Sequence, residues 1–436
     1  MILRRCLNLT AALVVLSSLL SWPTPGLTQD DQSWMNDVFG DRTQAKSRSQ
    51  QSPATTPRAK DRATAGEILL SASTLRALDR AIQIYEDIAR QGGWAVIPGR
   101  GTIRPGDSGR RVEALQRRLL ASGDLPSGRS RRASYDAALE KAVTAYQRRI
   151  GITPSGAVNH RTLTMLNVPA DQRLRQLKIN RTRIAALLEE LRTNRYVVVN
   201  IPAYELQAVE GGRVAVFSRV IVGKPATPTP EIKAAIKAVN LLPYWHVPQS
   251  IAKRALIPQI KQDIHYLDRE HIRVFSSWGG DEIDPRSVNW WSPQGERYVF
   301  RQDAGPFNAL GLVRLDMPNR EIVYMHDTPL KGLFRYALRP YSAGCVRVQS
   351  VLELAGWLTR PATGIGQTRL TEMINAGQRE TIDLPEPVPV VFAYVSAWGT
   401  SDGTAHFRAD IYDKDQEGTD VAQSAPWDRA DVRVTP

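Results

Sequence analysis

Cysteine is nearly absent from this chain, which holds two in 436 residues, Cys6 and Cys345, alongside six histidines. No His-Glu-x-x-His and no Cys/His cluster occurs, and His265 and His271 have no ligand set around them, so a zinc site has no support. The Gly-containing turns lack the Walker pattern, which removes the usual reason to expect nucleotide phosphate. After the N-terminus no stretch approaches the ~20 apolar residues that a membrane-spanning helix needs. Acidic residues are also short, 44 against 57 Lys and Arg, for a formal charge of +13. Such an excess favours an anionic polymer. For an exported chain, a carboxylate-bearing wall polymer or an anionic membrane surface fits better than nucleic acid.

Export is read from the first residues. Met1-Ile2-Leu3-Arg4-Arg5 gives a positive start, Leu7 to Leu20 is apolar but too short for a comfortable span, and Gly26-Leu27-Thr28 offers a small-residue cleavage site. Residues 1–28 are therefore expected to be a signal peptide, with an uncleaved inner-membrane anchor as the alternative. Removing Cys6 leaves Cys345 alone. Exported proteins use cysteines in pairs, so an unpaired thiol within Ser342-Ala343-Gly344-Cys345-Val346-Arg347 points to a nucleophile; an inert buried thiol is the bland alternative.

Length allows two or three domains. Residues 29–62 are polar and read as a disordered linker. Leu75, Leu78, Ile82, Tyr85 and Ile88 recur at helical spacing, as do Leu174, Leu177, Ile184, Leu187 and Leu191, giving a helical scaffold over 63–100 and 171–195. Between them, 101–170 predicts a small three-helix unit. Asp107 or Ser108 caps its first helix, Leu139, Val143 and Tyr146 face inward on the second, and Arg110, Arg111, Arg117, Arg118, Arg129, Arg131, Arg132, Arg148 and Arg149 form a basic face.

From Tyr196 the chain turns β-rich, with a hairpin over Glu210-Gly211-Gly212-Arg213. Residues 225–300, with Pro225, Pro228 and Pro230, a helix from Ser250 to about Asp263, and Trp245, Trp278, Trp290 and Trp291, read as a helical lid or substrate-facing insertion; a satellite core is the plainer account of the tryptophans. Strands resume at Glu321–Met325 and again at Val388–Ser396 and Ala405–Ile411. Ser350-Val351-Leu352-Glu353 is a capping-box pattern, and 414–436 is a polar tail.

A thiol attacks a carbonyl as thiolate, so it needs a base. His326, nineteen residues earlier at a strand end, could supply one, although a satisfied core histidine is commonplace. Gly344 lets the backbone turn and aim N–H groups at an oxyanion. Arg347 would favour the thiolate or hold a substrate carboxylate, with a structural role as the alternative.

Two resemblances sharpen this. Gly106-Asp107-Ser108-Gly109, Val112, Leu115-Gln116, Leu119, Tyr146-Gln147, Gly151-Ile152, Ser155-Gly156 and Thr162 resemble the peptidoglycan-binding domain-1 family. Tyr324-Met325-His326-Asp327-Thr328-Pro329 and Ser342-Ala343-Gly344-Cys345-Val346-Arg347 resemble the L,D-transpeptidase family with the YkuD-type catalytic domain. Residues 199–206, 243–253 and 301–311 are similar to its large YcbB-type branch. The likeness runs from about Ala72 to Asp413. It implies an α+β fold in which a β-rich catalytic sandwich over 196–413 carries the lid, plus the small helical domain.

It also implies an enzyme without cofactor, acting in the periplasm on peptidoglycan stem peptides and glycan strands as a monomer, with activating wall-synthesis partners conceivable. Cys345 would attack the diaminopimelate–D-Ala bond, release D-Ala and pass the thioester to a second stem amine, forming a 3→3 cross-link. His326 would act as base then acid, Tyr324 would line the donor pocket, and N–H groups around Gly344 and Cys345, in the turn that Ser342 opens, would hold the oxyanion. Shorter members often carry His before the Gly-Cys pair, where Ala343 stands here, so His326 is left as the motif's sole candidate base. Water as acceptor would give an L,D-carboxypeptidase, and a protein lysine an anchoring enzyme. A non-enzymatic wall-binding scaffold is the alternative of another class.

Overall fold

The computed structural model describes residues 66–126 and 134–416. The expected signal peptide, the 29–62 linker, Arg129, Arg131, Arg132 and the tail beyond Gln416 lie outside these residues. No helix among the described residues is long and apolar enough to cross a membrane.

Helix α1 (Ala72–Arg90) opens on Ser71, whose Oγ accepts from the Thr74 N–H at 3.1 Å. The small unit follows as α2 (Arg110–Ala121), α3 (Ala137–Arg149) and α4 (His160–Leu166) around Val112, Leu115, Leu139, Val143 and Tyr146. Its first helix is not capped by Asp107 or Ser108. Gly109 takes that position, while Asp107 Oδ2 closes a turn onto the Arg104 N–H at 2.8 Å. The basic face is also thinner than the sequence predicts. Arg118 and Arg149 are buried, the first donating to the Leu166 carbonyl and the second paired with Asp124. Helix α5 (Ala170–Glu190) then packs along α1.

The chain enters its main sheet through β1 (Arg195–Asn200), β2 (Glu205–Glu210), β3 (Arg213–Gly223) and β4 (Ile232–Leu241). An excursion follows: β5 (Trp245–Val247), α6 (Gln249–Ile251), a π-helical stretch Ala252–Leu256, α7 (Ile257–Gln262), α8 (Tyr266–Arg269), β6 (Ile272–Phe275), β7 (Glu282–Ile283) and β8 (Val299–Gln302). The main sheet resumes with β9 (Val313–Asp316), β10 (Met325–His326), β11 (Pro340–Ser342) and β12 (Val346–Val348). Helices α9 (Val351–Thr363) and α10 (Gln367–Asn375), then β13 (Thr381–Ala393) and a hairpin of β14 (Ala397–Gly399) and β15 (Ala405–Phe407), complete it.

The main sheet runs β11-β3-β12-β10-β9-β4-β13-β1-β2, and the early part of β3 also pairs with β2. Strand β3 thereby links the two ends of the strand order. Period-two alternation decides what each face buries. Val197 and Val199 of β1 point inward with Met325, Val346, Val390 and Leu354 of α9. Tyr196 and Val198 point outward, beneath Leu78, Tyr85, Leu177 and Ile184 of α1 and α5. Both faces of β1 and β13 are covered, which is why these strands read as unbroken apolar runs.

The excursion differs from the expected helical insertion at 225–300. Strand β4 lies within that range yet belongs to the main sheet, and the insertion carries its own four-stranded antiparallel sheet, β5-β8-β6-β7. Its core includes Trp245, Trp290, Phe300 and Leu256, so two of the four tryptophans are packing residues. Three further expectations are corrected. The strand expected at Glu321–Met325 is only Met325–His326, because Ile322 turns the chain at φ 54°. That expected at Ala405–Ile411 ends at Phe407. Ser350 makes no side-chain cap on α9; its N–H donates to Ser218 Oγ at 2.9 Å instead.

Candidate active site

Strands β10 and β12 are parallel neighbours, with Met325 opposite Val346 and His326 opposite Arg347. Met325 and Val346 fill the core, so His326 and Arg347 leave from the other face. Cys345 directly precedes β12, beside Tyr324, whose carbonyl accepts the Val346 N–H at 2.9 Å. Strand spacing and rise put the Cys345 and His326 Cα atoms about 8 Å apart, within side-chain reach. No hydrogen bond joins the two side chains, a common looseness before substrate arrives.

Strand register extends the row beyond these two. His326 stands opposite Arg314 of β9, Arg314 opposite Asn240 of β4, and Asn240 opposite Thr381 of β13. Arg314 Nε donates to Asn240 Oδ1 at 3.1 Å, and Asn240 Nδ2 to Thr381 Oγ1 at 2.9 Å. The Arg314 guanidinium also lies 5.1 Å from the centre of the Tyr324 ring. Two guanidiniums thus flank the imidazole on neighbouring strands, and the insertion adds His246 and Arg301, paired across β5 and β8. Burial, then Arg301 and Arg314, push the His246 pKa down.

His326 is 5% exposed. Its Nδ1 bonds the Asp327 carbonyl. A carbonyl only accepts, so the proton sits on Nδ1 and Nε2 is the basic atom. Burial, and next Arg347, drive the imidazole pKa from 6.5 down to about 3. Asp327 is itself fixed: Oδ2 accepts the Leu312 N–H at 3.0 Å, and Oδ1 pairs with Lys331. Gly311 makes this possible, since a Cβ there would come within 2.5 Å of the Asp327 carboxylate.

Cys345 keeps some accessible surface, yet enough protein surrounds the thiol that desolvation raises its pKa; the Tyr324 backbone and Arg347 pull the other way. The resting pair is therefore a neutral thiol and a neutral imidazole. Gly344 turns the chain at φ 119°, a conformation that disfavours any side chain. Its N–H is already engaged by Ser342 Oγ at 3.2 Å, and that hydroxyl donates to the Cys345 carbonyl at 2.5 Å. Of the two N–H groups expected to hold an oxyanion, that of Cys345 alone has no protein acceptor among the described residues.

The buried histidines have a measurable consequence. His406, stacked on Trp398 at 5.3 Å, is also pushed down to about 3 by burial and then Arg408. Both folded-state values lie below the unfolded ~6.5, so the unfolded chain binds more protons between these limits. Stability should be full above ~6.5 and fall as pH drops towards about 3, by up to about 1.4 kcal/mol per pH unit for each histidine. Denaturant unfolding at pH 7 and pH 5 measures the slope, and His406→Phe should remove one histidine's share of it.

Cys345, His326, Tyr324, Arg347, Gly344 and Ser342 fall together. Arg314, Asn240 and Asp327's anchoring role were missed in the sequence, because pairing rather than motif spacing brings β4, β9 and β10 together.

Known proteins divide the chain along the same lines. Residues 194–390 match the family model described as "L,D-transpeptidase catalytic domain", and residues 108–166 that described as "Putative peptidoglycan binding domain". A curated relative from Haemophilus influenzae, "Putative L,D-transpeptidase", is 33% identical over 222 residues. That alignment covers 51% of this chain and 45% of the relative, so the chain spans under half of the relative's length. Among solved structures, an L,D-transpeptidase (Yku) from Stackebrandtia nassauensis is 13% identical over 71% of this chain and 98% of that one, with a TM-score of 0.23. An L,D-transpeptidase fragment from Xylanimonas cellulosilytica is 16% identical over 68% and 98%, with a TM-score of 0.20. By these family models, residues 194–390 are similar to L,D-transpeptidase catalytic domains of the YkuD family and residues 108–166 to the peptidoglycan-binding family.

Proposed function

We propose that the protein is a peptidoglycan L,D-transpeptidase with Cys345 as nucleophile. The observation that carries this reading is the His326 Nδ1 bond to the Asp327 carbonyl, which leaves Nε2 basic on the strand beside the thiol. Nε2 takes the Sγ proton as sulfur attacks the carbonyl between diaminopimelate and D-Ala of a tetrapeptide stem. The oxyanion faces the Cys345 N–H. The C–N bond breaks as the imidazolium returns its proton to the D-Ala amine, leaving a thioester. The side-chain amine of a second stem then attacks, His326 takes its proton and returns it to sulfur, and a 3→3 cross-link results.

Arg314 and Arg347 suit the carboxylates of such peptides, and Tyr324 borders the donor pocket. The expected export signal supports a periplasmic reaction, with glycan strands as the polymer that the small domain would meet. The test is incubation with disaccharide-tetrapeptides followed by mass spectrometry. Dimer with release of D-Ala supports cross-linking. Free tripeptide without dimer would move the function to a carboxypeptidase, and no D-Ala release would leave a wall-binding scaffold.

A further inference from the structure

The turn that carries Cys345 is braced by a loop that no motif marks. Residues 224–230 cross beneath it. The Lys224 N–H donates to the Ser342 carbonyl at 3.0 Å, and Thr227 Oγ1 reaches the same oxygen at 3.2 Å. Thr229, 1% exposed, donates from Oγ1 to the Gly344 carbonyl at 2.7 Å and accepts the Gly223 N–H on the same oxygen at 2.8 Å. Its own N–H donates to the Tyr412 hydroxyl at 3.1 Å, and that hydroxyl donates to the Gly223 carbonyl at 2.6 Å. Thr229 is thus held at two points before it touches the turn, and its partner Tyr412 is itself tied to Gly223.

Gly344 C=O and Cys345 N–H belong to one peptide unit. In a trans peptide they point in opposite directions, so a bond that fixes the carbonyl also fixes the N–H. Donation to the carbonyl further polarises the unit and strengthens the N–H as a donor. From this geometry we infer that Thr229 is a positioning residue for acyl transfer: it aims and strengthens the Cys345 N–H that receives the oxyanion, with Tyr412 holding Thr229 in register. Tyr412 lies beyond the matched catalytic region, 194–390. It is anchored in turn by its N–H to Tyr394 Oη at 3.0 Å, and Tyr394 Oη donates to Asp410 at 2.6 Å. Asp415 ties the same segment to Arg183 of α5 at 2.7 Å. The segment after β15 therefore belongs to the catalytic machinery.

The inference rests on the acyl-transfer reading of Cys345, and its test separates the two. Thr229→Val removes the hydroxyl with little change of volume, whereas Thr229→Ser keeps it. Two reactions are compared on each variant: acylation of Cys345 by a tetrapeptide stem and by p-nitrophenyl acetate, both of which build an oxyanion, and alkylation by iodoacetamide, which builds none. Thr229→Val should lose about 10- to 100-fold in acylation by either donor. Its alkylation should stay within about twofold of the parent, and Thr229→Ser should restore most of the acylation rate.

Acylation within about twofold of the parent in Thr229→Val, or equal losses in acylation and alkylation, would overturn the assignment. If Thr229→Val does not fold, Tyr412→Phe decides, with an expected loss of about 3- to 10-fold confined to acylation. A parent that reacts with the activated ester but not with stems refutes the proposed substrate and still tests Thr229.

Discussion

Cys345→Ser is expected to abolish D-Ala release, with a fall of about 10⁴-fold or more, and to yield no covalent adduct in intact-mass measurements. A hydroxyl occupies nearly the same space, but its ionisation is far harder than a thiol's, and this site makes ionisation harder still. Burial already raises the Cys345 pKa, and only the Tyr324 backbone and Arg347 oppose it. A base held down to about 3 offers an alkoxide little driving force. The thiol is partly exposed, and a hydroxyl can keep its contact with the Tyr324 backbone, so the melting temperature should shift by only about 1–2 °C. An acyl adduct on the serine variant, or D-Ala release within tenfold of the parent, would remove Cys345 from the nucleophile's role.

The second large effect lies at His326. Replacement by Ala should lower kcat/KM for D-Ala release by about 10³-fold, within the range of a lost general base. The pH profile is the sharper measurement. An ordinary imidazole would switch near 6.5, but here burial and Arg347 keep the ring neutral down to about 3, while the thiol holds its proton above its usual range. The reactive protonation state, one proton shared by the pair, therefore persists across neutrality. The parent's kcat/KM should be flat between pH 5 and 8, falling only as acid protonates His326 or alkali ionises the thiol. An inflection near 6.5 that vanishes in the variant would show that the ring is hydrated in solution. Arg347 acts in opposite senses on the two partners, favouring the thiolate and opposing the imidazolium, so it does little for the ion pair as a whole.

How much of this could be read from the chain varies by element. Helices α1 and α5 announced their buried faces through Leu78, Tyr85, Leu177 and Ile184. The hairpin at Gly211-Gly212 fixed β2 against β3. The candidate nucleophile and its candidate base stood out because chemistry restricts residue type: a lone thiol and a histidine before a basic loop. The insertion's sheet was hidden because its strands are two to four residues long, shorter than any window in which alternation can be seen. Strand β4 was lost to the prolines just before it, which read as the start of an excursion rather than as the brace that Thr229 belongs to. Arg314 and Asn240 were unmarked for a different reason. Arg314 takes its meaning from standing opposite His326, and Asn240 from standing opposite Arg314 on a strand about seventy positions earlier, which only pairing creates.

The small helical unit is spliced between α1 and α5 rather than hung from one end. The two splice points nearly touch: a Cβ on Gly93 would lie 3.3 Å from that of Ala170. Its far side is pinned as well, since Arg149 donates to the Ala405 carbonyl at 2.8 Å and Arg408 returns a bond to the Arg149 carbonyl at 2.9 Å. A module on a single flexible tether raises local concentration over a volume set by linker length. One gripped by two adjacent stems and a third contact has no such volume. Any strand it held would be presented at a set distance and angle from the thiol, so the domain would act as a gauge that decides which position along the polymer is cut and joined.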